Sequence, residues 1–171
     1  MQRLKHLIRA VPDFPEPGIV FRDITPLLAD AQGFQLSIEK LAAIVTAHAG
    51  EAVVAIESRG FIFGAALAQT LGLPLHLIRK TGKLPRDTLS ESYALEYGTD
   101  TLEIHADELQ PSQRYVLVDD LIATGGSAAA AVRLVQRGGG QVVCCAFLIE
   151  LTDLHGRRLI DPIPVESVLQ Y

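Results

Sequence analysis

The stretch Val116-Leu117-Val118-Asp119-Asp120-Leu121-Ile122-Ala123-Thr124-Gly125-Gly126-Ser127 constrains this chain more than any other. An apolar strand runs into two adjacent carboxylates, then into Thr-Gly-Gly-Ser at the start of an Ala-rich helix. Each part has a physical use. A helix N-terminus offers N–H groups without helical partners and a partial positive charge, which suit a phosphate. Glycines let the backbone approach an anion closely, and the Thr124 and Ser127 hydroxyls add donors. Carboxylates at the end of a strand in an open α/β sheet lie on the ligand side and only accept hydrogen bonds, which suits a diol. A phosphate cradle beside two hydroxyl-reading carboxylates describes a ribose 5-phosphate site. The plainer alternative is that Asp119 and Asp120 start a turn that Gly125 and Gly126 close, but adjacent aspartates repel and are an odd choice for a turn alone. The stretch matches neither G-x-x-x-x-G-K-[ST] nor G-x-G-x-x-G, which disfavours an NTPase or a dinucleotide binder.

The rest of the chain alternates strands and helices. Phe34, Ile38, Leu41 and Val45 recur at helical spacing, predicting a helix over about residues 30–48. Residues 52–56 form an apolar run with two valines, the pattern of a buried parallel strand. A second helix is expected over 61–71, closed by Gly72 and Pro74, then strands over 75–78 and 115–118. A helix over 127–137 ends at Gly138-Gly139-Gly140, and a strand follows over 141–149. Parallel strands with helical crossovers imply α/β architecture: a doubly wound, mainly parallel sheet. Between Arg79 and Gln113 the alternation breaks. That insertion opens with four basic residues in 79–86 and holds two strand-like runs around Gly98-Thr99-Asp100, predicting a β-hairpin.

With 171 residues, one domain over 1–171 is expected. No apolar run approaches the roughly 20 residues that span a bilayer, and the N-terminus lacks the apolar core of a secretion signal. The two cysteines, Cys144 and Cys145, are adjacent and make no disulfide framework, so a cytoplasmic location is expected. A net charge of −5 argues against nucleic-acid or anionic-membrane binding, while leaving room for a local anion site.

Residues 116–127 resemble the phosphoribosyl diphosphate (PRPP) signature of the type I phosphoribosyltransferases. The resemblance extends in order along nearly the whole chain. Residues 14–28, 57–64, the loop 79–85, 92–98 and the ending Leu169-Gln170-Tyr171 are similar to segments of the adenine phosphoribosyltransferase family. It implies a type I fold with an N-terminal hood over about 1–30 and a mobile catalytic hairpin over about 79–104. It also implies a reaction of adenine with PRPP and magnesium to give AMP and diphosphate, in a homodimer.

Carried over position by position, the resemblance assigns Ala123, Thr124, Gly125, Gly126 and Ser127 to the 5-phosphate and Asp119 and Asp120 to the ribose hydroxyls. The signature often ends in Thr; Ser127 keeps the hydroxyl. Ser58-Arg59-Gly60 matches the loop that grips the diphosphate, with a cis peptide at Glu57–Ser58. Read on chemistry alone, Arg59 offers a planar fork to diphosphate oxygens or a structural ion pair at a helix start. Val20, Phe21 and Arg22 match the hood segment that sandwiches adenine and reads its edge, although Phe21 read alone could be plain core. Lys80, Lys83 and Tyr97 match residues that meet the diphosphate, and Glu96 matches the catalytic residue facing N7 of the base. That role needs a protonated carboxyl. Magnesium is expected on PRPP oxygens and water, with no direct protein ligand. Two alternatives stand beside this reading: an oxopurine phosphoribosyltransferase, and a PRPP-sensing regulator without turnover. The basic loop and Glu96 are features that a sensor does not need.

Overall fold

The computed structural model describes residues 2–94 and 98–171. The N-terminal segment forms helix α1 (Gln2–His6), a two-stranded antiparallel ribbon of β1 (Arg9–Pro12) and β2 (Val20–Asp23), and the short helix α2 (Thr25–Ala29). Helix α3 (Ala31–Ala47) follows, capped by Asp30, whose side chain accepts from Gly33 N at 2.6 Å. Its buried stripe of Ile38, Leu41 and Val45 is the one its spacing predicts.

Strand β3 (Ala52–Ile56) is buried at every position and leads into helix α4 (Gly60–Leu71), which Gly72 closes at φ +66°. Next come β4 (Leu75–Lys80), β5 (Thr88–Ala94), β6 (Thr99–His105), β7 (Arg114–Ile122), helix α5 (Gly126–Arg137), β8 (Gln141–Glu150) and β9 (Val165–Gln170). Two 3-10 turns, Thr152–Leu154 and Gly156–Leu159, separate β8 from β9. The main sheet has the order β5-β6-β4-β3-β7-β8-β9. Strands β4, β3, β7, β8 and β9 run parallel, while β6 is antiparallel to both β4 and β5. The doubly wound, mainly parallel α/β sheet expected from the alternation is what forms.

The sheet has a core on each face. Along β7, Tyr115 and Leu117 pack into one core while Val116 and Val118 pack into the other, so the strand reads as an unbroken apolar run. Helix α5 contributes the buried Ala128, Ala129, Ala130 and Ala131, small side chains that bring it close to the sheet.

One expectation changes. Strand β7 continues four residues beyond Val118, because Leu121 and Ile122 pair with Ile149 and Glu150 of β8, so both aspartates lie within the strand. The hairpin expected in the insertion after residue 79 forms, and it joins the main sheet. Arg79 and Lys80 pair with Glu103 and Leu102, so the hairpin extends the sheet. The β5–β6 pairing runs from Thr88↔His105 to Ala94↔Thr99, longer than the runs read from sequence. The carboxyl ends of β3, β4, β7 and β8 share one edge, where ligands of open α/β sheets bind.

Candidate active site

Gly125, at φ +84°, is the N-cap of α5. This left-handed conformation favours glycine, and a side chain has no room there either, since a Cβ would run into the Gly156 carbonyl oxygen. The reverse also holds: a Cβ on Gly156 would run into the Ala123 carbonyl oxygen. Residues 123–127 therefore form a tight loop at the start of α5, backed by the second 3-10 turn. Gly126 faces Tyr93 of the hairpin, whose Cδ2 would lie 3.2 Å from an added Cβ. Burial, then Asp100, pushes the Tyr93 hydroxyl up to about 12.

Beside this loop, Asp120 is buried and Asp119 half-buried. Asp119 Oδ1 accepts from Asp120 N at 2.8 Å, and Asp120 Oδ2 lies 3.0 Å from Arg59 Nη2. Burial raises both carboxyls above the ordinary aspartate range. The charge of Asp120 adds to the rise at Asp119, and Arg59 opposes the rise at Asp120. A pair held this way gains from any cation or hydroxyl donor that approaches it.

Arg59 sits at the N-cap of α4, after a cis peptide at Glu57–Ser58. Its guanidinium also donates from Nη1 to the Arg22 carbonyl at 3.4 Å and lies 5.0 Å from the Phe21 ring centroid. Glu57 is anchored from the hairpin side, accepting from Arg79 Nε at 3.2 Å and Lys80 N at 3.0 Å. Burial works to raise the Glu57 carboxyl, but these donors hold it below its usual range.

On the hood, Phe21 meets Phe14 edge-on at 5.2 Å. A cavity of about 470 Å³ lies between the hood and the segment after β8, lined among others by Val20, Arg22, Thr124, Leu151, Leu154 and Tyr171. Phe21 is not among its lining residues. Lys80 Nζ pairs with Asp100 of β6 at 3.0 Å. Lys83 follows Gly82 in the turn after β4, and its carbonyl accepts from Arg79 Nη1 at 3.1 Å. Glu96 and Tyr97 lie outside the described residues.

The structure thus brings Phe21, Arg22, Arg59 and Asp120 together, with Thr124 across the cavity from Val20 and Arg22. It leaves Lys80 engaged with its own hairpin. Leu151, Leu154 and the Gly156 backing were not found from sequence; their only signal was an apolar strand ending in Glu-Leu-Thr-Asp. Tyr171 figured only as part of a matched ending. Among the described residues, no group of three or more His, Cys, Asp or Glu is placed to hold a metal.

Comparison with known proteins identifies relatives of this sequence and fold. The phosphoribosyl transferase domain model matches residues 28–168. An adenine phosphoribosyltransferase of Synechococcus sp. (strain JA-3-3Ab) is 58% identical over 97% of this chain and 96% of its own length. The crystal structure of adenine phosphoribosyltransferase from Rhodothermus marinus superposes with a TM-score of 0.93 at 55% identity, covering 99% of this chain and 97% of the other. The Saccharomyces cerevisiae enzyme, crystallised with an imino-altritol bisphosphate and adenine, gives a TM-score of 0.94 at 37% identity over 98% and 97% of the two chains. Fold and site define a phosphoribosyltransferase. The chain belongs to that family and, within it, to the adenine phosphoribosyltransferases.

Proposed function

We propose that the protein transfers the 5-phosphoribosyl group of PRPP to adenine, giving AMP and diphosphate in purine salvage. The observation that carries this reading is the reach of Arg59. One guanidinium touches the buried Asp120 and the backbone of the hood at Arg22, joining the ribose-reading pair to the base cavity.

In this reading, the loop 123–127 and the start of α5 hold the 5-phosphate through backbone N–H groups and the Thr124 and Ser127 hydroxyls. Asp119 and Asp120 accept from the ribose 2- and 3-hydroxyls, which relieves their burial. Adenine enters the cavity between Val20, Arg22 and Leu151, close to the sugar because Thr124 lines both. Backbone groups of β2 that pair with the amino edge of the base would be left unpaired by a keto group, which disfavours oxopurines. Arg59, Lys80, Lys83 and Tyr97 meet the diphosphate, and Glu96, protonated, hydrogen-bonds N7 while N9 bonds to C1, the C1–O bond to diphosphate breaks and the N9 proton leaves to the departing diphosphate. Lys80 then exchanges Asp100 for the diphosphate. Magnesium bound to PRPP oxygens neutralises the charge of the leaving diphosphate. The hairpin covers the reacting centre and keeps water from C1. The whole of 1–171 works as one domain, in a cytoplasmic homodimer.

A base screen tests this reading. Protein, PRPP and magnesium are mixed with adenine, guanine, hypoxanthine or xanthine in turn, and nucleotide and diphosphate are followed. Turnover with adenine alone is expected. Turnover with an oxopurine would overturn the base assignment, and PRPP binding without turnover on any base would make the protein a sensor. At the residue level, Glu96→Gln should lose turnover far more than PRPP affinity; a variant that works normally would remove Glu96 from proton transfer.

A further inference from the structure

The base cavity is built from two walls far apart in sequence: the hood strand β2 with Val20 and Arg22, and the segment after β8 with Leu151 and Leu154. One residue is fastened to both. The Tyr171 carbonyl accepts from Thr152 N and from Thr152 Oγ1, each at 2.8 Å, and its own N–H donates to the Glu150 carbonyl at 3.0 Å. The backbone of Tyr171 is therefore part of the lower wall. Its ring faces the other way, with the Arg22 guanidinium 4.0 Å from the centroid and Lys5 Nζ of α1 at 5.6 Å. Among the described residues, Arg22 forms no salt bridge and its buried Nε has no hydrogen-bond partner, so the tyrosine face is what holds its side chain. The Tyr171 hydroxyl is buried and also without a partner among the described residues, so the ring and not the hydroxyl makes the contact.

We propose that Tyr171 is a positioning residue for base binding: its ring holds Arg22, and through it strand β2, at the separation from Leu151 that a purine ring requires. The proposal rests on the reading that this cavity takes the base.

The test measures KM for adenine, KM for PRPP, kcat and Tm for Tyr171→Ala and Tyr171→Phe. Tyr171→Ala is expected to raise KM for adenine about tenfold while KM for PRPP stays within about twofold. Tyr171→Phe keeps the ring and drops only an unpartnered hydroxyl, so it should restore both constants. Equal rises in both KM values that track a loss of Tm would show mere structural support and overturn the proposal. So would an unchanged Tyr171→Ala, or a Tyr171→Phe as impaired as Tyr171→Ala. Leu151→Trp separates the two levels of the reading. If filling the cavity there leaves KM for adenine unchanged, the base lies elsewhere and the proposal falls with it. If Leu151→Trp blocks adenine while Tyr171→Ala does not, the cavity stands and only the role of Tyr171 fails.

Discussion

Arg59 Nη2 lies 3.0 Å from Asp120 Oδ2, yet that buried oxygen has no well-aligned hydrogen-bond donor among the described residues. The guanidinium balances the charge of Asp120 without satisfying its lone pairs, and the same group also reaches Arg22 and Phe21. Such an arrangement releases easily to a substrate that supplies ribose hydroxyls to the carboxylate and diphosphate oxygens to the arginine. Arg59→Ala should therefore lower kcat/KM for PRPP by about 10²-fold or more, a cost of roughly 3 kcal/mol. It should also raise the Asp120 carboxyl further, because it removes the charge that opposes burial there. Steady-state kinetics across pH checks both. Unchanged PRPP kinetics would return Arg59 to a structural ion pair.

The raised carboxyls of Asp119 and Asp120 set the sign of a stability prediction. A folded-state pKa above the ordinary aspartate value means that the native state binds more protons than the unfolded chain in that window. Stability contributed by this pair is thus greatest in acid and falls as pH rises from about 3.8 through the raised values. At neutral pH the pair is a source of strain. Asp119→Asn removes one of two crowded charges and should raise Tm at pH 7.5 by a few degrees, at about 2–4 °C per kcal/mol for a chain of this size. The same variant should bind PRPP more weakly. A melting curve at pH 7.5 lower than that of the parent would contradict the assignment of burial as the dominant cause.

How much of this was legible in sequence depended on whether a segment carries its own pattern. Strand β3 is buried throughout and α3 has a clear apolar stripe, so both could be read locally. The hood strands β1 and β2 are four residues each, have no fully buried position and pair only with one another, so no periodicity announces them. The hood was legible only through resemblance, as was the cis peptide at Glu57–Ser58. Strand β9 alternates weakly and depends on β8 beside it. The wall formed by Leu151, Leu154 and Gly156 was not legible, because what defines it is proximity to residues 123–125, some 30 positions earlier, and to the hood. Position in the sheet, not local composition, makes those residues part of the site.

The turn that backs the loop 123–127 has its own anchor. Glu150, whose side chain is 5% exposed, accepts from Arg157 Nε and Nη2, both at 2.7 Å, and from Ser167 Oγ at 2.8 Å. These bonds, that of Arg157 foremost, hold the Glu150 carboxyl below its usual range. Arg157 adjoins Gly156, so the pair fixes the turn that presses on Ala123 and Gly125. Removing the cation leaves a buried carboxylate, and Arg157→Ala should cost about 2–4 kcal/mol in denaturant unfolding at pH 7. The loss should shrink as pH falls below about 4.5 toward the lowered Glu150 value, because the parent loses this contribution there too. Gly156→Ala tests the geometry directly. Its Cβ must displace backbone at residues 123–125, so, with the 5-phosphate held there as proposed, KM for PRPP should rise severalfold.

At the base of the hairpin, Glu91 of β5 accepts from Arg133 Nε at 2.6 Å and from Arg137 Nη1 at 2.9 Å, both on α5. Arg137 Nη1 also donates to the Ser90 carbonyl at 2.7 Å. The two arginines, Arg133 first, hold the Glu91 carboxyl below its ordinary range. This fork ties the hairpin to the helix that follows the loop 123–127, so it fixes the strand that leads in sequence to Glu96 and Tyr97. The three side chains are partly exposed, so Glu91→Ala should cost less than about 1 kcal/mol in global stability. Its effect should instead be local. Amide exchange over residues 88–105 should accelerate while that of β3 and β7 stays at the parent rate, and kcat should fall as the hairpin loses its fixed base. The contribution is present above about pH 4.5 and fades as pH drops, because protonation of a carboxyl held low removes the fork. Exchange that rises equally across the sheet would place Glu91 in general stability and detach it from the hairpin.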